Sequence, residues 1–409
     1  MSNGQGIDIS VKIGNLKLKN PFIVGSGPTV RTVEQIVEAE RNEWAAASLK
    51  LTIDPVPYIS LPPRYRWLRK QKLHIFTAEK RLTPDEALRV MEEAKRVTKE
   101  ILLFPNITYD GEDYEGWARL AKRFEDAGAD AIELNMCCPN MSFNLTASGE
   151  RTEKATGASL GSDLEELPKV VKVVVDAVKI PVIVKLTPEG GKIAQAAYLS
   201  MEAGAAAVGG VANRLGIPDI DIRRPMDSIY RLQDQITLGC LSGPWIRPLA
   251  LRDTYEMRFF MDKMGRDAFI IGSGGVSDLA SAVQQIMVGA DAVWICTETM
   301  IRGFDWLPKM IEELKLYMRD MGFSTIRDFR GLLFRNIAPA DELRIQDGYA
   351  VVDLDKCNAC GLCWRIGHCE AIMHPDDVTM IDKDKCLACS TCVDVCPRKA
   401  ISIVESGKN

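Results

Sequence analysis

Eight short apolar runs, at residues 21–27, 45–52, 102–108, 131–137, 181–187, 206–213, 269–275 and 292–297, each leave room for one helix before the next. Amphipathic segments fill several of those gaps, at 85–99, 114–127, 163–178, 192–203 and 279–288. A continuously apolar strand is buried on both faces. Eight of them alternating with helices predict an α/β fold, a (β/α)8 TIM barrel closed by a parallel sheet. Three helix ends pass straight into the next strand through Gly128-Ala129, Gly204-Ala205 and Gly289-Ala290, the short glycine turn that such a connection requires.

At 409 residues the chain exceeds the roughly 250 that a bare barrel needs. The composition changes after the last helical pattern, 307–321, and residues 324–341 read as a connection. We therefore expect a barrel over 1–345 and a second unit over 346–409. No run of about 18 apolar residues exists to span a bilayer, and the first residues lack the basic start and apolar stretch of a signal peptide, so a cytoplasmic location is expected. A net charge of -5 weighs against a nucleic-acid surface. The basic run at 64–72 reads as a solvated loop or as a contact for an anionic ligand or partner. Two long loops, 54–82 and 141–160, leave the C-terminal ends of the second and fourth strands, where they can serve as lids and substrate walls or remain ordinary surface and subunit contacts.

Of the twelve cysteines, eight fall between Cys357 and Cys396, in the order Cys357-x2-Cys360-x2-Cys363-x5-Cys369 and Cys386-x2-Cys389-x2-Cys392-x3-Cys396-Pro397. Thiolates on tight turns, three in one run with a fourth from the other, hold iron–sulfur cubes in bacterial-type ferredoxins. The crossed scheme assigns Cys357, Cys360, Cys363 and Cys396 to one [4Fe–4S] cluster and Cys386, Cys389, Cys392 and Cys369 to another. Structural zinc is the alternative, although its four-ligand sites seldom come as two triplets each followed by a lone cysteine. The first run departs from the usual pattern in its x5 spacing and in Glu370, where proline is common. An α+β ferredoxin domain implies one-electron traffic, and a flavin is the common converter to two-electron chemistry.

The last two strands end in Gly272-Ser273-Gly274-Gly275 and Ile295-Cys296-Thr297, where barrels bind phosphate; glycine also ends strands for purely geometric reasons. Lys50 and Lys185 stand near the C-terminal ends of the second and fifth strands. A charge at the mouth of an apolar barrel is costly, and a reduced flavin, anionic near N1 and O2, is a group that would stabilise it; a structural carboxylate is the other.

Asn20-Pro21-Phe22, Glu133-Leu134-Asn135-Met136-Cys137-Cys138-Pro139-Asn140, Lys185-Leu186-Thr187-Pro188, Leu241-Ser242-Gly243 and Gly274-Gly275-Val276 together resemble the dihydroorotate and dihydropyrimidine dehydrogenases. The resemblance implies FMN held by Gly25, Ser26, Lys50, Asn135, Lys185, Ser242, Gly243, Gly274, Gly275, Cys296 and Thr297. It implies substrate contacts at Asn135, Asn140 and Asn213, and a catalytic cysteine at Cys138. Hydride then moves between the flavin and one carbon of a C=C bond conjugated to a carbonyl, with Lys185 steadying the reduced ring, while a proton moves at the neighbouring carbon on the other face. A thiol, with an ordinary pKa near about 8.5, can carry that proton. Cys137 is expected to point to the opposite side of its strand and to pack.

Where pyrimidine-reducing relatives have Asn-Thr after the sixth strand, this chain has Asn213-Arg214, and Arg214 is expected to meet a carboxylate or phosphate or to fill part of the pocket. Asn106 and Asp110 are further candidates for the substrate. The substrate expected is a small conjugated carbonyl compound, of dihydropyrimidine or dihydroorotate type or another enoyl acid, amide or thioester. A reading of another class is an electron-transfer subunit without a substrate of its own. No Gly-x-Gly-x-x-Gly fingerprint follows a strand, so electrons are expected from a separate NAD(P)H-oxidising flavoprotein subunit or a ferredoxin, within a homodimer or a hetero-oligomer.

Overall fold

The structure, a computed structural model, describes residues 6–54, 64–138, 156–210, 213–217, 220, 222–223, 239–338 and 347–405. It divides into two units, Met1–Asn336 and Ile337–Asn409, against the 345/346 boundary expected from composition.

In the first unit each of the eight apolar runs contains a strand: β1 (Phe22–Val24), β2 (Ala46–Ser48), β3 (Leu102–Phe104, resuming as Asn106–Thr108), β4 (Ile132–Met136), β5 (Val182–Leu186), β6 (Ala207–Gly210), β7 (Ile270–Ser273) and β8 (Ala292–Ile295). Consecutive strands pair in parallel, and β8 pairs with β1. Pro105 splits β3 because it has no N–H to give the ladder. Its carbonyl nevertheless accepts from Glu133 N at 2.9 Å, so the circle closes. The Gly128, Gly204 and Gly289 turns adopt φ of 93°, 102° and 118°, a conformation that excludes most side chains.

Alternation along the strands separates two cores. Ile132, Leu134 and Met136 of β4, with Val182, Val184 and Leu186 of β5, pack against the outer helices. Ala131, Ile183, Ala207, Ile271 and Trp294 point into the barrel. Ile13 and Leu18, from an N-terminal hairpin (Val11–Ile13 and Leu16–Leu18), join that inner cluster and close the end from which the strands start. Full burial of each such side chain contributes about 1.5–3 kcal/mol. At the other end lies a four-stranded antiparallel sheet of Arg64–Leu68, Leu73–Ala78, Gly239–Ser242 and Arg214–Gly216. Much of the described part of the long loop after β2 is thus a hairpin. Residues 141–155 of the loop after β4 lie outside the described residues.

The helix after β7 (Leu279–Met287) starts on Asp278, whose carboxylate accepts from Ser281 N at 2.8 Å while Ser281 Oγ accepts from Asp278 N at 3.0 Å. Partial burial works to raise the Asp278 pKa, but the Ser281 bonds outweigh it and hold the carboxyl below its ordinary value. A depressed carboxylate pKa contributes stability that is present above about pH 4 and is lost as pH falls through the folded value. Asp278→Ala should cost about 1 kcal/mol at neutral pH in a urea titration, with the gap closing in acid. A gap independent of pH would exclude the ionised cap.

In the second unit Gly348–Val352 pairs antiparallel with Ile401–Glu405, and Ile372–Met373 with Met380–Ile381. Ala350, Cys363, Cys392 and Ile401 form its small core. Among the described residues of the chain, no helix is long and apolar enough to cross a membrane.

Candidate active site and iron–sulfur centres

The C-terminal ends of the barrel strands surround a cavity that opens to solvent, with about 1060 Å³ of space when its mouth is included. Gly25 and Ser26 reach it from the end of β1, Lys50 from beyond β2, Asn135 from β4 and Lys185 from β5. Gly274 and Gly275 follow β7, Cys296 and Thr297 follow β8, and Ser242 and Gly243 arrive on the antiparallel sheet. All the residues that the sequence assigned to the flavin therefore line one space. Cys138 and Asn213 line it too. Asn140 lies outside the described residues.

Both lysines are paired. Lys185 Nζ lies 3.1 Å from Glu133 Oε1, with side chains 6% and 0% exposed, and 4.6 Å from the centroid of the Trp294 ring. Burial opposes the Lys185 charge, yet Glu133 more than offsets it, and the ammonium is held above its ordinary pKa. Glu133 also accepts from the Ser48 hydroxyl and from Asn106 Nδ2. Asn106 Oδ1 in turn accepts from Asn135 Nδ2 at 2.8 Å, and Asn135 Oδ1 accepts from Cys138 N at 3.0 Å. One network thus runs from the lysine to the backbone of the cysteine. Lys50 Nζ donates to Glu79 Oε2 at 2.5 Å.

The structure corrects three expectations. Cys137 lines the cavity instead of packing behind the strand, because Ala131, Glu133, Asn135 and Cys137 share one parity. Its buried thiol lies 3.3 Å from Asn135 Oδ1, and burial pushes its pKa up. Arg214 is absent from the lining; its guanidinium donates to Asp253 Oδ2 at 2.7 Å. Asp110 is likewise absent from the lining and accepts from Glu112 N at 3.1 Å, whereas Asn106 belongs to the network beneath the site. Sequence reasoning missed Glu79, His74 and Phe76, carried in by the hairpin, and Arg81, whose Nη2 stands 3.8 Å from Cys138 Sγ.

His74 is buried beside Ser242 Oγ (3.2 Å from Nδ1) and stacks on Tyr65. Burial lowers its pKa to about 4. An unfolded histidine takes up its proton near pH 6.5, so stability falls as pH drops from about 6.5 towards 4. His74→Gln should flatten that slope in unfolding curves taken at stepped pH, and an unchanged slope would exclude a neutral buried imidazole.

The cavity fits a flavin phosphate and ring. Gly275 has φ +74°, and a Cβ there would come 2.8 Å from Arg247 Cβ. A Cβ on Gly25 would crowd Cys296 at 3.3 Å, and both glycines line the cavity, at the ends of β1 and β7. Lys50 and Lys185, each paired to a carboxylate, are cations that line the same cavity.

In the second unit the eight cysteines line two chambers. Cys357, Cys360, Cys363 and Cys396 surround about 320 Å³, while Cys369, Cys386, Cys389 and Cys392 surround about 720 Å³. This is the crossed grouping. Among the described residues no three His, Cys, Asp or Glu converge tightly enough for a single metal ion, as zinc with its roughly 2.3 Å bonds would require. Sulfurs set around an open chamber suit a cluster instead.

Comparison with known proteins agrees with this division. Residues 8–318 match the family model described as dihydroorotate dehydrogenase, and residues 379–402 match the 4Fe-4S binding domain. The NAD-dependent dihydropyrimidine dehydrogenase subunit PreA of Escherichia coli K12 is 28% identical over 369 residues, covering 87% of this chain and 84% of that protein. The chloroplastic dihydropyrimidine dehydrogenase (NADP(+)) of Arabidopsis thaliana is 29% identical over 79% of this chain and 76% of its own length. The catalytic subunit of dihydroorotate dehydrogenase B (NAD(+)) of Pyrococcus furiosus is 34% identical over 57% of this chain and 70% of its own. The chain belongs to the dihydroorotate dehydrogenase family, with a 4Fe–4S ferredoxin domain following the flavin barrel.

Proposed function

We propose that this chain is an FMN-dependent oxidoreductase that reduces or forms a C=C bond conjugated to a carbonyl, exchanging electrons through two [4Fe–4S] clusters. The observation that carries the reading is a thiol, Cys138, lining the same cavity as two buried, paired lysines. An electron relay without a substrate would need no proton carrier there.

When bound, the flavin supplies hydride donor or acceptor chemistry at N5. Lys185 and Lys50 would hold the flavin and set positive charge beside its reduced ring. Asn135 ties the Cys138 backbone to the floor of the site, so the thiol can deliver or accept a proton at the carbon next to the one that exchanges hydride. Asn213, and Asn140 by the resemblance, offer paired donors and acceptors to an amide or carboxylate edge.

The relative from Escherichia coli is a subunit of an NAD-dependent enzyme. By analogy a separate NAD(P)H-oxidising flavoprotein subunit, or a ferredoxin, feeds the clusters in the cytoplasm. Substrates of dihydropyrimidine or dihydroorotate type are the first reading. Another enoyl acid, amide or thioester is the second.

The test is to photoreduce the anaerobic holoprotein and mix it with uracil, orotate and other enoyl acids and amides, following flavin absorbance. Reoxidation by one of them at a catalytic rate supports the reading. Holoprotein that carries iron and sulfide but no FMN, even after reconstitution, would end it.

A further inference from the structure

The two cysteine runs of the second unit are near-repeats. Cys357-Asn358-Ala359-Cys360-Gly361-Leu362-Cys363 answers to Cys386-Leu387-Ala388-Cys389-Ser390-Thr391-Cys392. Ala359 and Ala388 even share a left-handed backbone, with φ of 53° and 52°. The frame also continues alike, since Ala371 lies eight positions after Cys363 (371 minus 363) and Ala400 eight after Cys392 (400 minus 392), both buried.

Within that shared frame the fourth cysteines differ. Cys396 comes four positions after Cys392, a place held in the first run by Gly367, whereas Cys369 comes two positions later. The displacement brings His368 to the chamber of Cys369, Cys386, Cys389 and Cys392, with Nε2 3.4 Å from Cys389 Sγ. Val395, which precedes Cys396, is apolar.

The other polar contacts to sulfur nearly cancel between the chambers. Each has a backbone donor from a neighbouring strand or turn, Ala350 N to Cys386 Sγ at 3.2 Å and Ala400 N to Cys396 Sγ at 3.3 Å; the Thr391 backbone also approaches Cys389, and the Thr379 side chain also approaches Cys363. Each has one threonine hydroxyl at 3.7 Å, Thr391 beside Cys389 and Thr379 beside Cys357. Among the described contacts, the imidazole is the one side-chain N–H group against a ligand sulfur, and it is found in one chamber.

In the metal-free chain Cys389 Sγ stands in for a cluster-bound thiolate. Such a sulfur has no proton to give, so Nε2–H must be the donor. A donor to a ligand sulfur stabilises the extra electron of the reduced cluster and raises its potential. We infer that His368 makes the cluster of Cys369, Cys386, Cys389 and Cys392 the higher-potential member of the pair. One electron then passes downhill to it from the cluster of Cys357, Cys360, Cys363 and Cys396, with no proton moving.

This inference rests on the two-cluster reading, and the experiment separates their failures. The full-length holoprotein is titrated electrochemically with EPR detection, after iron and sulfide analysis. Two unequal potentials are expected. His368→Leu should lower the higher one alone, so that at a fixed poise near it the reduced-to-oxidised ratio falls about tenfold, about 59 mV for one electron. His368→Gln, which keeps an N–H donor, should recover most of the loss, whereas a purely structural role would give no such recovery. Two clusters whose potentials ignore His368→Leu, or a Gln variant that behaves as Leu does, would overturn the inference alone. A chain that assembles a single cluster would sink it together with the two-cluster reading.

Discussion

A Lys185→Met variant should lose about 3–5 kcal/mol of stability and with it most of its flavin. Removing the ammonium leaves the Glu133 carboxylate fully buried with, among the described residues, the Ser48 hydroxyl and the Asn106 amide to satisfy it. Neutral donors do not replace a cation at a buried carboxylate. Because the Lys185 pKa is raised above 10.5, the contribution of the pair is fully present below that value and fades only as pH rises through the higher folded value. A urea titration at pH 7 therefore reads all of it. Lys185→Met with Glu133→Gln should regain much of the stability but not the flavin, since the ring edge still lacks its cation. A single variant within about 1 kcal/mol of the parent would show that the buried carboxylate does not depend on the lysine.

Cys138→Ser should lower kcat for substrate reduction by about 10²- to 10⁴-fold, while FMN content and the reduction of the clusters stay as in the parent. A serine hydroxyl occupies nearly the same place but gives up a proton far less readily. The backbone of residue 138 remains bonded to Asn135, so the site keeps its shape. Unchanged turnover would defeat the role of Cys138 as the proton carrier.

Much of the fold was legible because its signals are local. Strands buried on both faces appear as apolar runs, glycine turns mark helix ends, and cluster ligands must repeat at short spacing whatever surrounds them. Lys50, Lys185, Gly274, Gly275, Cys296 and Thr297 followed from the same logic, as ends of strands, and the other assigned cavity residues from the resemblance to the family. Their partners did not. Glu133 stood within a recognised stretch, yet its pairing with Lys185 depends on the register that sets Asn135 opposite Lys185. His74 and Glu79 come from a hairpin whose place is fixed by pairing with Gly239–Ser242, far away in sequence. Arg214 found Asp253 on the following helix, a contact that no spacing rule announces. The face of Cys137 was readable from parity with Glu133 and Asn135, and that signal was overlooked.

The alternation that turns Glu133, Asn135 and Lys185 inward together also ties cofactor loading to correct assembly. Sliding β4 or β5 by one residue would send all their polar groups among the outer helices and their valines and leucines into the cavity. A misregistered chain therefore has no place for the flavin, and the appearance of bound yellow colour during refolding becomes a clock for the moment the ring of strands locks.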